Sequence, residues 1–222
     1  MNQLVPKLAT EFAGTFVFLT VIGLSGAAGP LAPLAIGGGL MAMVYMGGHV
    51  SGAHYNPAVT FGLFLRRIVA LRTMLAYWVV QVVAGVLAFA FAHYVSGKVA
   101  DVHPGGAWPA ALAAEVVLTA TLVLVVLNVA ATRATEGNSF YGLAIGITVA
   151  AGAFVVGPIS GGVFNPAVGI GAAVSSGSWS TLWIYLVGPL LGAAIGAGVH
   201  HVQTPTADTV APEDSEVTRP LA

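Results

Sequence analysis

The 222-residue sequence contains no cysteine, which excludes a disulfide framework, a thiolate metal site and a cysteine nucleophile. It is also short of charge. Asp, Glu, Lys and Arg make up 7% of residues, against about 25% in soluble domains. A surface in water needs more than that, whereas lipid tails tolerate an apolar exterior. With 57% hydrophobic residues and a mean hydropathy of +0.91, the chain reads as an integral membrane protein whose first partner is the lipid bilayer. The net charge of -1 leaves no basic patch, so nucleic acid is excluded as a partner. Six histidines show no clustered ligand spacing beyond His200-His201, so neither a metal nor a cofactor is expected. The first apolar run holds Glu11 and lacks the grading of a cleavable signal, so the chain is expected to insert by its own spans.

Six runs approach the roughly 20 apolar residues that a span needs: 8–28, 33–50, 73–95, 109–130, 140–158 and 181–200. Two more, 56–64 and 165–174, are too short to cross. Each follows a glycine-containing turn and opens with Asn-Pro, a favoured N-cap followed by a residue suited to the first helical turn. They read as half-helices. The fold class is therefore all-α integral membrane, with six transmembrane helices and two reentrant half-helices. Residues 1–200 form a single channel-like domain, and 201–222, with four acids and three prolines, form a disordered cytoplasmic tail. Lys7, Arg66, Arg67, Arg72, Arg133 and Arg219 fall on one side and only Lys98 on the other. This places both termini in the cytoplasm of a multi-pass protein of the cell membrane.

An internal repeat is the most informative feature. SGAHYNPAV at 51–59 matches SGGVFNPAV at 160–168, and LAIG at 34–37 matches LAIG at 143–146, both at an offset of 109. A slightly smaller offset aligns Glu11 with Glu115. The copies span about 7–98 and 109–200. Three spans per copy is an odd number, so the second copy enters from the opposite face and the halves are inverted. Broken helices at such an interface are tolerated only inside protein or beside a water-filled path.

The two Asn-Pro-Ala motifs, each after Ser-Gly and before a short apolar run, resemble those of the aquaporin, or major intrinsic protein, family. The resemblance covers about residues 7–200. It implies a passive pore and no enzyme activity, usually with four identical subunits and one pore in each. The solutes it implies are water and other small uncharged molecules: ammonia, urea, hydrogen peroxide and glycerol. Carried over by residue, it implies a central site at Asn56, Pro57, Ala58, Asn165, Pro166 and Ala167, where both asparagines donate to the solute. The amide hydrogens and the positive ends of two opposed half-helices repel cations and orient a central water, which breaks a proton wire. It also implies a ladder of carbonyls from Gly52, Ala53, His54 and Tyr55 and from Gly161, Gly162, Val163 and Phe164. His54 has two readings, a turn residue that fixes its loop or a side chain lining the inner vestibule.

Ionisable groups within spans are functional candidates by default. Glu11 and Glu115 either couple protons in a secondary active transporter or accept the unpaired N–H groups of the reentrant loops. Their symmetric placement favours bracing. An intramembrane enzyme is disfavoured because no HExxH, GxSxG or aspartate pair lies in a span. Aromatics such as Phe16, Phe18, Tyr77 and Phe89 read as packing or lipid contacts, and Trp108, Trp179 and Trp183 as an interfacial belt.

The sequence departs from the family at the outer filter. The four matching positions are Ile36, Ala153, Gly162 and Val168. Most members have arginine at the last, strict water pores often have histidine at the second, and glycerol pores have aromatics at the first and third. With Gly169 in place of the aspartate common in glycerol pores, a narrow glycerol facilitator is disfavoured. A broad, apolar, arginine-free mouth is expected unless Lys98 or His103 of the connecting loop folds into it.

Overall fold

The computed structural model describes residues 4–100, 102–205 and 208–209. The fold is all-α. Its long helices are α1 (Leu4–Leu24), α2 (Ala32–Ser51), α4 (Leu71–Ser96), α5 (Trp108–Ala130), α6 (Tyr141–Ser160) and α8 (Leu182–Gln203), and its short ones are α3 (Pro57–Leu65) and α7 (Pro166–Ser176). The long helices are long and apolar enough to cross a membrane, with α1 and α2 joined through a 3-10 turn into one apolar stretch, Leu4–Ser51. Helix α1 starts four residues earlier than the hydropathy predicts. Pro6 lies in its first turn, where a missing N–H breaks no intrahelical bond.

Both short helices start the same way. Asn56 and Asn165 are extended N-caps whose Oδ1 atoms accept from the backbone N–H of Ala58 and Ala167, and proline follows each. The helices before them, α2 and α6, stop at Gly52 (φ 84°) and Gly161 (φ 91°), left-handed positions that glycine adopts without a Cβ clash. The chain therefore leaves one span, makes a short loop and re-enters as a half-helix, twice.

Packing repeats across the two halves: α1 lies on α4, and α5 lies on α8 in the same relation. Helices α2 and α6 pair at the centre. There a Cβ on Gly37 would fall 2.5 Å from the Gly146 carbonyl oxygen, and one on Gly146 would fall 2.5 Å from that of Gly37. Backbone meets backbone at this crossing, the close approach that small residues permit in lipid.

The expected tail boundary shifts. Helix α8 continues through His201 to Gln203, and Thr204 and Thr209 are buried. Thr209 pairs with Thr132 in an isolated bridge, and its carbonyl accepts from Arg133 Nε at 3.2 Å. Long-range contacts hold these residues, and local composition does not report them. The disorder expected for 210–222 lies outside the described residues, as does Arg219.

Candidate functional site

The tips of α3 and α7 meet in the middle of the molecule. Because each asparagine Oδ1 accepts from its own helix, the amide orientation is fixed by the network and Nδ2 points outward. Asn56 Nδ2 donates to the Phe164 carbonyl at 2.8 Å, and Asn165 Nδ2 to the Tyr55 carbonyl at 2.9 Å. An amide nitrogen carries two hydrogens. Each asparagine therefore keeps one amide hydrogen directed at the cavity that both residues line, and the other is spent on clasping the opposite loop. The Tyr55 and Phe164 oxygens each spend one of two lone pairs on this clasp; Phe164 lines the cavity and Tyr55 is buried behind it. Pro57, Ala58, Pro166 and Ala167 are buried in the junction and do not line the cavity either.

The loops before the tips depend on the two glutamates. Ala53, Tyr55, Gly162 and Phe164 have φ between 49° and 65°. Left-handed residues interleaved with ordinary ones turn successive N–H groups to one side and form a concave anion site. Carboxylates fill both. Glu11 accepts from His54 N at 2.9 Å, Tyr55 N at 2.8 Å, Ser51 Oγ at 2.7 Å and Gln81 Nε2 at 2.9 Å. Glu115 accepts from Val163 N at 2.9 Å, Phe164 N at 2.7 Å and Ser160 Oγ at 2.7 Å. The hydroxyls of Tyr77 and Tyr185 donate to the Ser51 and Ser160 carbonyls. Left-handed non-glycine residues cost about 1–3 kcal/mol each, and these carboxylate hydrogen bonds offset that cost.

His54 satisfies both of its sequence readings. Its Nδ1 lies 3.1 Å from Thr60 Oγ1, which donates its one hydrogen to the Asn56 carbonyl and accepts from Gln81 Nε2. Thr60 has no second hydrogen to give, so His54 Nδ1 carries the proton and donates. Nε2 is then a lone-pair acceptor, buried and without a protein partner, on a side chain that lines the cavity. The second loop has Val163 at the matching place, so the wall is polar on one side only.

That cavity has a volume of about 70 Å³, room for a short file of waters. Ile36, Ala153, Gly162 and Val168 all line it, so the structure brings the four filter positions together. Their side chains add no donor. The loop after α4 does reach the cavity, through an apolar residue: Val102 lines it, anchored by the bond from Gly105 N to the Ile159 carbonyl at 3.1 Å. Lys98 and His103 are exposed, and neither lines the cavity. Phe18 packs in the core as expected and also forms part of the cavity wall. Neither Val102 nor Phe18 carries a motif, and only the tertiary path of the chain assigns them here. At His54, Val126 and Ile145 the narrow segment opens into a vestibule of about 620 Å³ bordered by Lys7, His49, Thr132 and Glu136.

Comparison with known proteins agrees with this geometry. Residues 3–200 match the model of the family described as major intrinsic protein. The chain is 37% identical to Aquaporin NIP1-4 of Oryza sativa subsp. japonica, over 90% of this chain and 78% of that protein. It is 33% identical to Probable aquaporin TIP2-2 of the same plant, over 89% and 84%, and 36% identical to Aquaporin PIP1-5 of Zea mays, over 86% and 76%. Its fold is similar to the X-ray structure of the aquaglyceroporin from Plasmodium falciparum, with a TM-score of 0.78 at 20% identity, covering 89% of this chain and 95% of that one.

Proposed function

The chain belongs to the major intrinsic protein family of membrane channels, and on that premise we propose that its solutes cross through the cavity between Asn56 and Asn165. It is a multi-pass membrane protein and a passive channel for water and small solutes, not an enzyme. The observation that carries the finer reading is a central pair of amide donors below a mouth with no charged side chain. Asn56 and Asn165 each offer one hydrogen to a passing lone pair, and the α3 and α7 N-termini add about +0.5 charge apiece, which opposes cations. His54 Nε2 receives a hydrogen from the same solute on its way to the vestibule.

Glu11 and Glu115 act as braces in this reading. Every carboxylate oxygen is engaged by loop or side-chain donors, which supports bracing over proton coupling. Ile36, Ala153, Gly162 and Val168 form the outer filter, with Val102 above them. An apolar filter exerts its selection by size and admits neutral solutes that an arginine would turn back. Ammonia, urea and hydrogen peroxide are its natural candidates. The cell membrane, cytoplasmic termini and a four-subunit assembly belong to the same proposal.

Stopped-flow light scattering on proteoliposomes tests the solute range. Shrinkage driven by sucrose reports water, and re-swelling in urea or glycerol reports solute. Re-swelling in urea faster than in protein-free vesicles is the expected result. Water flux with no re-swelling in either solute would remove the open-filter reading.

A further inference from the structure

Arg66, the residue that ends α3, is only 4% exposed although the sequence places it in a loop. Its Nε donates to His200 Nδ1 at 2.9 Å, its Nη1 pairs with His201 Nδ1 at 2.6 Å, and its Nη2 donates to the Thr204 carbonyl at 2.7 Å. Guanidinium is always charged and has donors only, so both imidazoles accept at Nδ1 and are neutral. His200 then carries its proton on Nε2, which lies 2.9 Å from Thr132 Oγ1, and Thr132 passes its own hydrogen to the Leu127 carbonyl at 3.0 Å. Three of the five guanidinium hydrogens are placed by this network. Every one meets a neutral acceptor, so among the described residues no opposite charge is paired with the guanidinium, an arrangement that favours an anionic partner.

Beside Arg66 the surface opens into a pocket of about 540 Å³. Arg67 and His201 line it together with Arg66, and Leu65, Ala194 and Ala197 give it an apolar wall. None of the described residues lining it is acidic. Arg67 is held at φ 59°, with its N–H on the Phe64 carbonyl at 2.9 Å, and this left-handed turn lets two consecutive arginines reach one pocket. Along α8, Ile195 and Val199 are exposed apolar residues suited to lipid chains. A ligand here meets cationic groups on one side and hydrocarbon on the other. Basic pockets between spans at a membrane surface have the chemistry to hold acidic headgroups.

We propose that this pocket binds the phosphate of an anionic phospholipid, with Arg66 and Arg67 as its charge partners and the α8 face beside its acyl chains. The site lies apart from the pore, and its occupancy is independent of which solutes cross. The lipid phosphate supplies the negative charge that no described residue brings to Arg66, and it ties the end of α3, the half-helix that bears Asn56, to the end of α8.

The test compares the full chain in nanodiscs of phosphatidylcholine alone and with added phosphatidylglycerol. Thermal unfolding is followed by tryptophan fluorescence, and retained lipid by native mass spectrometry. Phosphatidylglycerol raises Tm by about 2–4 °C. Arg67→Gln, which leaves the Arg66 hydrogen bonds in place, abolishes most of that rise and lowers retained phosphatidylglycerol about fivefold. Arg72→Gln, a surface change outside the pocket, keeps both. Inorganic phosphate added to the phosphatidylcholine discs gives no comparable rise. Equal Tm in the two lipids, equal retention by Arg67→Gln, equal loss in Arg72→Gln, or a rise reproduced by phosphate would each overturn the assignment. So would a fall in Tm on neutralising Glu213, Asp214 and Glu216 together with indifference to phosphatidylglycerol, since the chain's own acids would then be the counter-charge.

Discussion

At the scale of single residues, the asparagines divide their labour, and substitution separates the parts. Asn56→Asp removes the donor to the Phe164 carbonyl, sets oxygen against oxygen, and adds a negative charge at a half-helix N-terminus. Asn165→Asp does the same to Tyr55. The expected outcome is lower water flux or a new cation leak, read by stopped flow and by conductance across planar bilayers; wild-type behaviour in both variants would refute the assignment. The glutamates give a different signature. In Glu115→Gln one oxygen is replaced by a donor that faces the Phe164 N–H, and in Glu11→Gln one faces the Tyr55 N–H. Each change costs about 1–3 kcal/mol of stability. It shows as a lower Tm and yield, while flux per folded channel keeps no pH dependence traceable to either residue. A proton-coupled current abolished by either change would restore the transporter reading. The paired glutamates were legible because a carboxylate in an apolar span is conspicuous. The clasp was not, since Asn56 and the Phe164 carbonyl belong to residues 108 apart in sequence.

At the scale of elements, the Asn-Pro starts fix both half-helices at their N-termini and left-handed Gly177 stops α7, because caps are local chemistry, whereas α3 ends at Arg66 (φ -84°) with no glycine to mark it. The ends of α1 and α8 were less legible. Pro6 and Lys7 break the hydropathy of α1 without breaking the helix, and the α8 end is held at His200 by Arg66 and Thr132, with Arg133 holding Thr209 beyond it. The α2–α6 crossing makes a test at this scale. In Gly146→Val the new Cβ meets the Gly37 carbonyl at 2.5 Å and Met41 Cβ at 2.7 Å, and backbone cannot yield as a side chain does. A loss of about 1–3 kcal/mol is expected, which lowers Tm by roughly 2–4 °C per kcal/mol. Gly38→Ala, with nothing within 4 Å of its Cβ, does not lower Tm and raises it slightly through helix propensity. Equal Tm for Gly146→Val and wild type would contradict this packing.

For the molecule as a whole, the repeat in the sequence foretold two half-helices meeting inside a bundle, because an odd number of spans per copy forces inversion. It did not foretell that the halves differ where solute passes. His54 faces the cavity in one loop and Val163 in the other, and Val102 arrives at the mouth from a connection whose path no periodicity encodes. The result is an apolar outer half, a pair of single amide donors, and one imidazole acceptor before the vestibule. Selection by width at the mouth is the central claim. It is tested most directly by the ratio of urea to water permeability in proteoliposomes of wild type and Val168→Arg. Arginine there brings a fixed charge and donors into a cavity of about 70 Å³. The expected result is a wild type permeable to both and a variant whose urea permeability falls about tenfold, equivalent to about 1.4 kcal/mol on its barrier, while water falls much less. Equal loss of both permeabilities in the variant, or a wild type that already excludes urea, would contradict it.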